Sequence, residues 1–419
     1  MGRTRAGKAF RVLPFMTSVG HDAAMLDDPT PNTVTEAEMI DRARALAPVL
    51  AGRRREALTL RRLPDANMAD LIAAGMFKLM QPRRLGGLEL PYGAQVPVAA
   101  EVAKACGASG WLVSVIGTHH WMLGKFDPRA QDDVWAKSPD AISCSAFGYS
   151  EIDVKPAADG FRASGRWTFS SGSPAAHWAM VSIPVDSASG QMGRRFAIIP
   201  KADFQVLDNW HASGLRGSGS SDIVAKDIFI PAYRTIDFGD IDLIDSPGTS
   251  VNPGPTYRLN TFLVFNLTGV GPALGCARSA LDAFTSAMKR RRNVMGSKIP
   301  ELQNIQMRTS EAGAEIAAAE ALIEGHIAKL RAAAAKDGRL ERGYLLQFQR
   351  DCAYIGRLCQ NAVARLSDAQ GAHGLAEDNV VNLAQADLRG ICAHMTMGWD
   401  ANCVPWGKHA LGIEHQGLI

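Results

Sequence analysis

Apolar residues recur at helical spacing from Thr35 to about Asp132, change to short alternating or continuous runs from Ala141 to about Ile230, and return to helical spacing from Tyr257 onward. In the first stretch, Ala37 to Leu58 is rich in Ala, Leu, Arg and Glu, and Pro64-Asp65 opens a second periodic segment that runs through Met76. Gly86-Gly87 and Pro91 break the pattern before Val96 to Ala105 and Gly110 to Phe126, so roughly four to six helices are expected. The middle stretch carries runs at Ile142 to Phe147, Phe161 to Ser170, Trp178 to Val185, Phe196 to Ile199, Phe204 to Leu207 and Ile223 to Ile230, bounded by Gly, Pro, Asp and Ser. Short strands at such near-regular spacing predict a compact β-domain. The last stretch predicts long helices around Leu259 to Arg292, Gln303 to Ala335, Gly343 to Gln370 and Asn379 to Asp400, separated at Pro300, Asp337-Gly338 and Gly371. The Ala-rich segment Ala312 to Ala321 allows close helix packing, as in a four-helix bundle. The expected fold is therefore α+β: an N-terminal arm (1–33), an N-terminal helical domain (34–138), a middle β-domain (139–240) and a C-terminal helical bundle (241–419).

Composition narrows the function classes. With 419 residues, 47% of them hydrophobic, the chain can bury a large core. Lys and Arg number 45 against 42 Asp and Glu, a formal charge of +3, so bulk electrostatics give no case for a nucleic-acid or membrane-surface partner. The seven cysteines are scattered and lack CxxC pairing, so they read as reduced packing residues, with no metal site and a cytoplasmic location expected. The first sixteen residues are basic at the front, but Arg11 and Pro14 break the apolar stretch, unlike a secretory signal. No run of about eighteen apolar residues predicts a membrane span.

Candidate chemistry is dispersed. No GxGxxG follows a predicted strand and no GxxxxGK[ST] occurs, so Rossmann and P-loop nucleotide binding have no support. Gly214-Leu215-Arg216-Gly217-Ser218-Gly219-Ser220 lets backbone amides approach a ligand, or simply forms a turn. Thr168-Phe169-Ser170-Ser171-Gly172 runs a strand into consecutive hydroxyls, which can face a planar heteroaromatic ring or satisfy nearby backbone. Trp111 precedes Thr118-His119-His120-Trp121 on a predicted helix; adjacent histidines point about 100° apart, so only one can face a given pocket. Asp387-Leu388-Arg389 and His394 fall on another predicted helix, where His394 is a proton donor or a bundle contact. Lys289 to Arg292 end a long helix, suiting its dipole or meeting a phosphate.

Taken in order, these segments resemble the two-component (group D) flavin-dependent monooxygenases with the acyl-CoA dehydrogenase fold, among them the oxygenase component of 4-hydroxyphenylacetate 3-hydroxylase. The likeness runs from about Arg61 to the C-terminus through Arg61-Arg62-Leu63-Pro64-Asp65, Gly86-Gly87-Leu88-Glu89, Trp111 with Thr118-His119, Phe169-Ser170-Ser171-Gly172, Asp208-Asn209-Trp210 with Ser218-Gly219-Ser220, Asp227-Ile228-Phe229-Ile230-Pro231, and His394. It implies that a separate flavin reductase supplies reduced FMN or FAD, which reacts with O2 to give a C4a-hydroperoxyflavin that hydroxylates a small aromatic substrate of phenol or indole type. By resemblance, Ser171 hydrogen-bonds near flavin N5, His394 sits at the oxygen-reactive edge, and His119 meets the substrate hydroxyl. Ser145 and Trp111 complete the substrate pocket, while Ser170, Trp210, Ser218, Ser220, Arg258 and Arg292 accompany the flavin. The likeness also implies a homotetramer assembled through the C-terminal bundle, with Arg290 to Arg292 near a neighbour's flavin phosphate. His120-Trp121 and Ser173-Pro174-Ala175-Ala176-His177 depart from the family pattern, leaving open a heteroaromatic N- or S-oxygenase. A FAD-dependent acyl-CoA dehydrogenase, with Glu414 as its base, is the alternative on the same scaffold, and a non-enzymatic helical scaffold is the third.

Overall fold

Thr35 opens the first helix with a capping box: its hydroxyl accepts from the Glu38 amide at 3.2 Å, and the Glu38 carboxylate accepts from the Thr35 amide at 2.7 Å. The computed structural model describes residues 34–186 and 192–414, so the expected arm at 1–33 lies outside the described residues. The first helical segment contains α1 Glu36–Gly52, α2 Arg54–Leu60, α3 Asp65–Ala73, α4 Gln95–Ala105, α5 Gly107–Leu123 and α6 Pro128–Trp135. The run Ala37 to Leu58, read as one helix, breaks at Arg53, whose guanidinium bonds Asn67 and Asp70 of α3. α5 is buried along its whole length. A helix apolar on all sides belongs in the middle of a core, and every other layer packs around it.

The β segment forms two four-stranded sheets, ordered β1-β4-β5-β8 and β2-β3-β7-β6. Their strands are β1 Ser143–Ala146, β2 Gly148–Ala157, β3 Gly160–Ser170, β4 Trp178–Asp186, β5 Met192–Pro200, β6 Gln205–Val206, β7 Ser221–Pro231 and β8 Thr235–Asp237. β1 runs parallel to β4, and the other pairings are antiparallel. Trp167, Val181, Ile183, Ile199 and Ile223 fill a core of their own. β2 has no fully buried residue: Ile152 and Val154, alternating with Glu151, Asp153 and Lys155, rest on the core, too short an apolar pattern to stand out in the sequence.

The last segment holds α7 Phe238–Asp242, α8 Thr261–Phe265, α9 Val270–Met288, α10 Gln303–Ala334, α11 Arg342–Asp368, α12 Val380–Cys392 and α13 Trp399–Ala410. Helices α9 to α12 pack together, and α4 lies on α9 because Gly271 and Gly275 carry no side chain: a Cβ there would meet the Val96 and Ala100 carbonyls at 2.5 and 2.3 Å. One apolar core therefore runs through both helical segments, from Met39 to Met397. The Ala-rich stretch serves this packing only in part: Ala312 and Ala319 are buried, whereas Ala317 and Ala318 are exposed. The run Asn379 to Asp400 is not one helix. α12 stops at Cys392, and a turn holding His394 precedes α13. Among the described residues no helix is long and apolar enough to cross a membrane.

Candidate active site

Trp111, Val115 and His119 lie at successive turns of α5 and form one wall of a cavity of about 590 Å³. His120, the next residue, turns away. Its Nδ1 bonds the Phe77 carbonyl at 2.9 Å, its Nε2 accepts from the Ser143 amide at 3.2 Å, and its ring meets Trp135 edge-on. His120 is thus a satisfied structural residue that ties α5 to β1.

β1 brings Ser145 to the cavity, its hydroxyl 2.8 Å from His119 Nε2. Both groups are buried, and His119 Nδ1 has no hydrogen-bond partner among the described residues. Beyond the end of β3, Ser171 accepts a hydrogen bond from the Trp111 indole N–H at 3.0 Å. Indole can only donate, so the Ser171 proton is left for Ser220, 2.8 Å away, or for a ligand. Ser220 lies 2.7 Å from Ser218, extending a line of three hydroxyls.

The loop that carries Ser218 and Ser220 is held from behind. Gly214 presses on α12 so closely that a Cβ would overlap the Ala386 carbonyl. The Leu215 amide donates to Asp387 at 2.7 Å, and the Leu215 carbonyl accepts from the Trp210 indole at 3.1 Å. Burial pushes the Asp387 carboxyl up to about 6, against the lowering influence of the Leu215 amide and Arg54. Asp387→Asn keeps the acceptor and removes the buried charge, so its melting temperature at pH 8 is expected to equal or exceed that of the natural protein. Asp387→Ala strands the Leu215 amide and is expected to cost about 1–3 kcal/mol by urea denaturation.

His394 projects from the turn after α12. Its Nδ1 lies 2.9 Å from the Thr396 hydroxyl and 3.4 Å from the Thr396 amide; with both donating to Nδ1, the neutral ring carries its proton on Nε2. Its ring packs against Trp111 at 5.3 Å and Phe265 at 5.5 Å, and Phe265 also touches His119 and Phe147. Desolvation lowers His119 to about 3 and His394 to about 4, with the neighbouring imidazoles adding to the shift at His119. Both rings are neutral at physiological pH.

Acid stability follows from these shifts. His119, His120 and His394, held at about 3, about 4 and about 4, take up protons near 6.5 once unfolded, so the unfolded state binds more protons below that pH. Asp387 opposes them between its unfolded value of 3.8 and about 6. Three buried imidazoles outweigh one carboxyl, and urea-unfolding stability is expected to fall between pH 6.5 and 4.5, by up to about 2.7 kcal/mol per pH unit where two uncancelled histidines set the slope. A flat profile over that range would contradict the buried neutral histidines.

No carboxylate lines this cavity among the described residues; Arg389 is its one permanent cation. The rest of the wall is aromatic and small: Phe147, Phe169, Trp210, Phe265 and the 212–215 backbone. Such walls, with hydroxyls along one side and a close-approaching backbone loop, fit a flat heteroaromatic ring system.

Residues 267–399 match the family model for the acyl-CoA dehydrogenase C-terminal domain. Over 408 residues the chain is 30% identical to the FADH(2)-dependent resorcinol hydroxylase oxygenase component of Rhizobium sp. (strain MTP-10005), covering 92% of this chain and 97% of that one. It belongs to the family of flavin-dependent monooxygenase oxygenase components. Another member, oxygenase subunit HsaA of Rhodococcus jostii, is 30% identical over 377 residues, 89% of this chain and 98% of the relative. The crystal structure of 3-HSA hydroxylase from Rhodococcus sp. RHA1 superposes with a TM-score of 0.85 at 28% identity, over 91% of this chain and 98% of that one.

On this oxygenase scaffold, Trp111, His119, Ser145, Ser171, Trp210, Ser220 and His394 meet at one cavity, with Ser218 bonded behind Ser220. Two expected flavin contacts lie elsewhere in the chain. Ser170, the last residue of β3, is fully buried and outside the wall. Arg258 lines a separate cavity with Asp245, Lys336 and Asp337, because its neighbour Tyr257 is the residue that turns inward, its hydroxyl 2.7 Å from the Met80 carbonyl. Arg292, expected near a neighbour's flavin phosphate, is exposed beyond the end of α9 and bonded to the Gly296 carbonyl. Sequence reasoning missed Phe169, which holds a left-handed backbone (φ 60°), is 71% exposed and meets Trp210 edge-on at the cavity. A bulky residue in that conformation is strained, a cost that concentrates at functional sites, and nothing in a linear sequence signals it.

Proposed function

We propose that this protein is the oxygenase component of a two-component flavin-dependent monooxygenase, which receives reduced FMN or FAD from a separate flavin reductase and uses O2 to hydroxylate a small aromatic acceptor. The observation that carries this reading is the single cavity in which the Trp111-Ser171-Ser220 hydrogen-bond line faces two neutral histidines between aromatic walls. Ser171, Ser220, Trp210, Phe169 and the 212–215 backbone would hold the flavin, with Arg389 suited to its anionic reduced form. Bound reduced flavin supplies the electrons that activate dioxygen.

The residues of the chain then divide the remaining tasks. His394 presents Nε2–H as a donor, and Ser171 holds a proton at Oγ whose direction the Trp111 indole sets. His119 meets the acceptor hydroxyl. With its pKa near 3 against about 10 for a phenol, ground-state proton transfer would cost roughly 10 kcal/mol. His119 therefore orients the phenol as a hydrogen-bond partner and takes the proton only as positive charge develops on the ring. Phe147, Phe265 and Trp111 exclude water from the path.

An acyl-CoA dehydrogenase needs a carboxylate base at the flavin. The described wall has none, and Glu414 is exposed beyond α13. The same reading includes a homotetramer and a cytoplasmic location. Incubation with a generic flavin reductase, NADH and a panel of phenols and indoles is expected to yield a product 16 mass units heavier from one acceptor class. A preparation that retains FAD, reduces with acyl-CoA and oxygenates nothing would overturn the proposal.

A further inference from the structure

A second cavity, of about 420 Å³, adjoins the first and shares Phe147, Gly148, Phe265 and Met395 with it. Its remaining wall is largely apolar: Met122, Phe196, Phe238 and Phe262. Phe196 and Phe238 stack at 4.1 Å, giving the chamber a flat aromatic side. One cation breaks this surface. Arg194, projecting from β5, places its guanidinium 5.7 Å from the Tyr149 ring and 5.5 Å from the Phe238 ring. Among the described residues no carboxylate forms a salt bridge with it, and none lines the chamber.

Arg194 is exposed at the chamber's rim, but its position over two rings favours one orientation of the guanidinium, and its fork of donors matches a carboxylate in a way no other group in the chamber does. The partition between the cavities is made of the aromatic residues that surround His119: its ring meets Phe147 at 5.7 Å and Phe265 at 6.4 Å. A molecule whose hydroxylated ring rests at His119 can thus extend an arm past Phe147 and Phe265 into the chamber.

We infer that this chamber is the acceptor's second subsite, taking an apolar arm that ends in a carboxylate held by Arg194. This rests on the oxygenase reading and adds the substrate class: a phenol or indole bearing a carboxylate side arm, in preference to the bare ring. Arg194 is then a specificity-determining residue that acts in binding, remote from the oxygen-transferring groups.

The test compares 4-hydroxyphenylpropanoate with its uncharged amide. Equilibrium binding to the flavin-free protein, followed by tryptophan fluorescence, is expected to favour the acid, and Arg194→Gln to weaken the acid about 10- to 100-fold while changing the amide less than about twofold. Arg194→Lys, which keeps the charge and loses the fork, should fall between. In turnover with a flavin reductase, the Gln variant should raise KM for the acid and leave kcat for both compounds unchanged. Equal binding of acid and amide by the natural protein, or equal weakening of both by Arg194→Gln, overturns the subsite even if phenols are hydroxylated. Charge-selective binding without hydroxylation of any acceptor would instead keep the subsite and remove the oxygenase reading.

Discussion

His119→Ala is expected to lower kcat/KM for hydroxylation of a phenolic acceptor by about 10²- to 10⁴-fold, the range for a lost proton-transfer partner. The affinity for reduced flavin should change less than about twofold, because His119 shares its hydrogen bond with Ser145 on the β1 side and lies apart from the Ser171-Ser220 line. Steady-state product formation and an anaerobic flavin titration read the two quantities separately. Oxygen consumption should continue, with hydrogen peroxide replacing the hydroxylated product. A variant that lost flavin binding and hydroxylation together would move His119 to the flavin side of the cavity.

Ser171→Ala has the complementary expected effect. It removes the acceptor of the buried Trp111 indole N–H and the partner of Ser220 in one step. The fraction of oxygen that reaches product is expected to fall about 10- to 100-fold, with a matching rise in hydrogen peroxide, as for the loss of a preorganised donor next to developing charge. The acceptor KM should hold. Ser220→Ala, one hydroxyl farther from Trp111, should show the same direction with a smaller loss, since Ser171 keeps its indole contact. Product-to-peroxide ratios under limiting reduced flavin measure both variants.

Much of this arrangement is legible in the chain because it is periodic. The change from helical to alternating spacing near Ala141, and back near Tyr257, follows the observed succession of helices, strands and helices. The residues that meet at the cavity are polar or aromatic groups in otherwise apolar elements, and so stand out: Trp111 and His119 on α5, Ser171 at the end of β3. What stayed hidden depends on contacts that a linear pattern does not carry. Periodicity narrows the His119-His120 pair to one pocket residue, but only the Phe77 carbonyl and Ser143 amide reveal which. Gly390 and Gly398 flank the end of α12 at Cys392, which frees His394 from a helix, but neither glycine by itself tells a helix end from a continuing helix. The left-handed Phe169 and the hold of Asp387 on Leu215 arise from packing between distant segments. Arg258 looked equivalent to the other flavin contacts in sequence, yet the element that carries it leads away from the cavity.

Isotope labelling of the product tests the central claim most directly. Protein, flavin reductase, NADH and a hydroxylated acceptor are incubated under ¹⁸O2 in unlabelled water, and the product is analysed by mass spectrometry. One labelled oxygen atom per product molecule, absent when the reductase is omitted, is the result this account predicts. A product whose new oxygen comes from water, or one formed without reduced flavin, would contradict it.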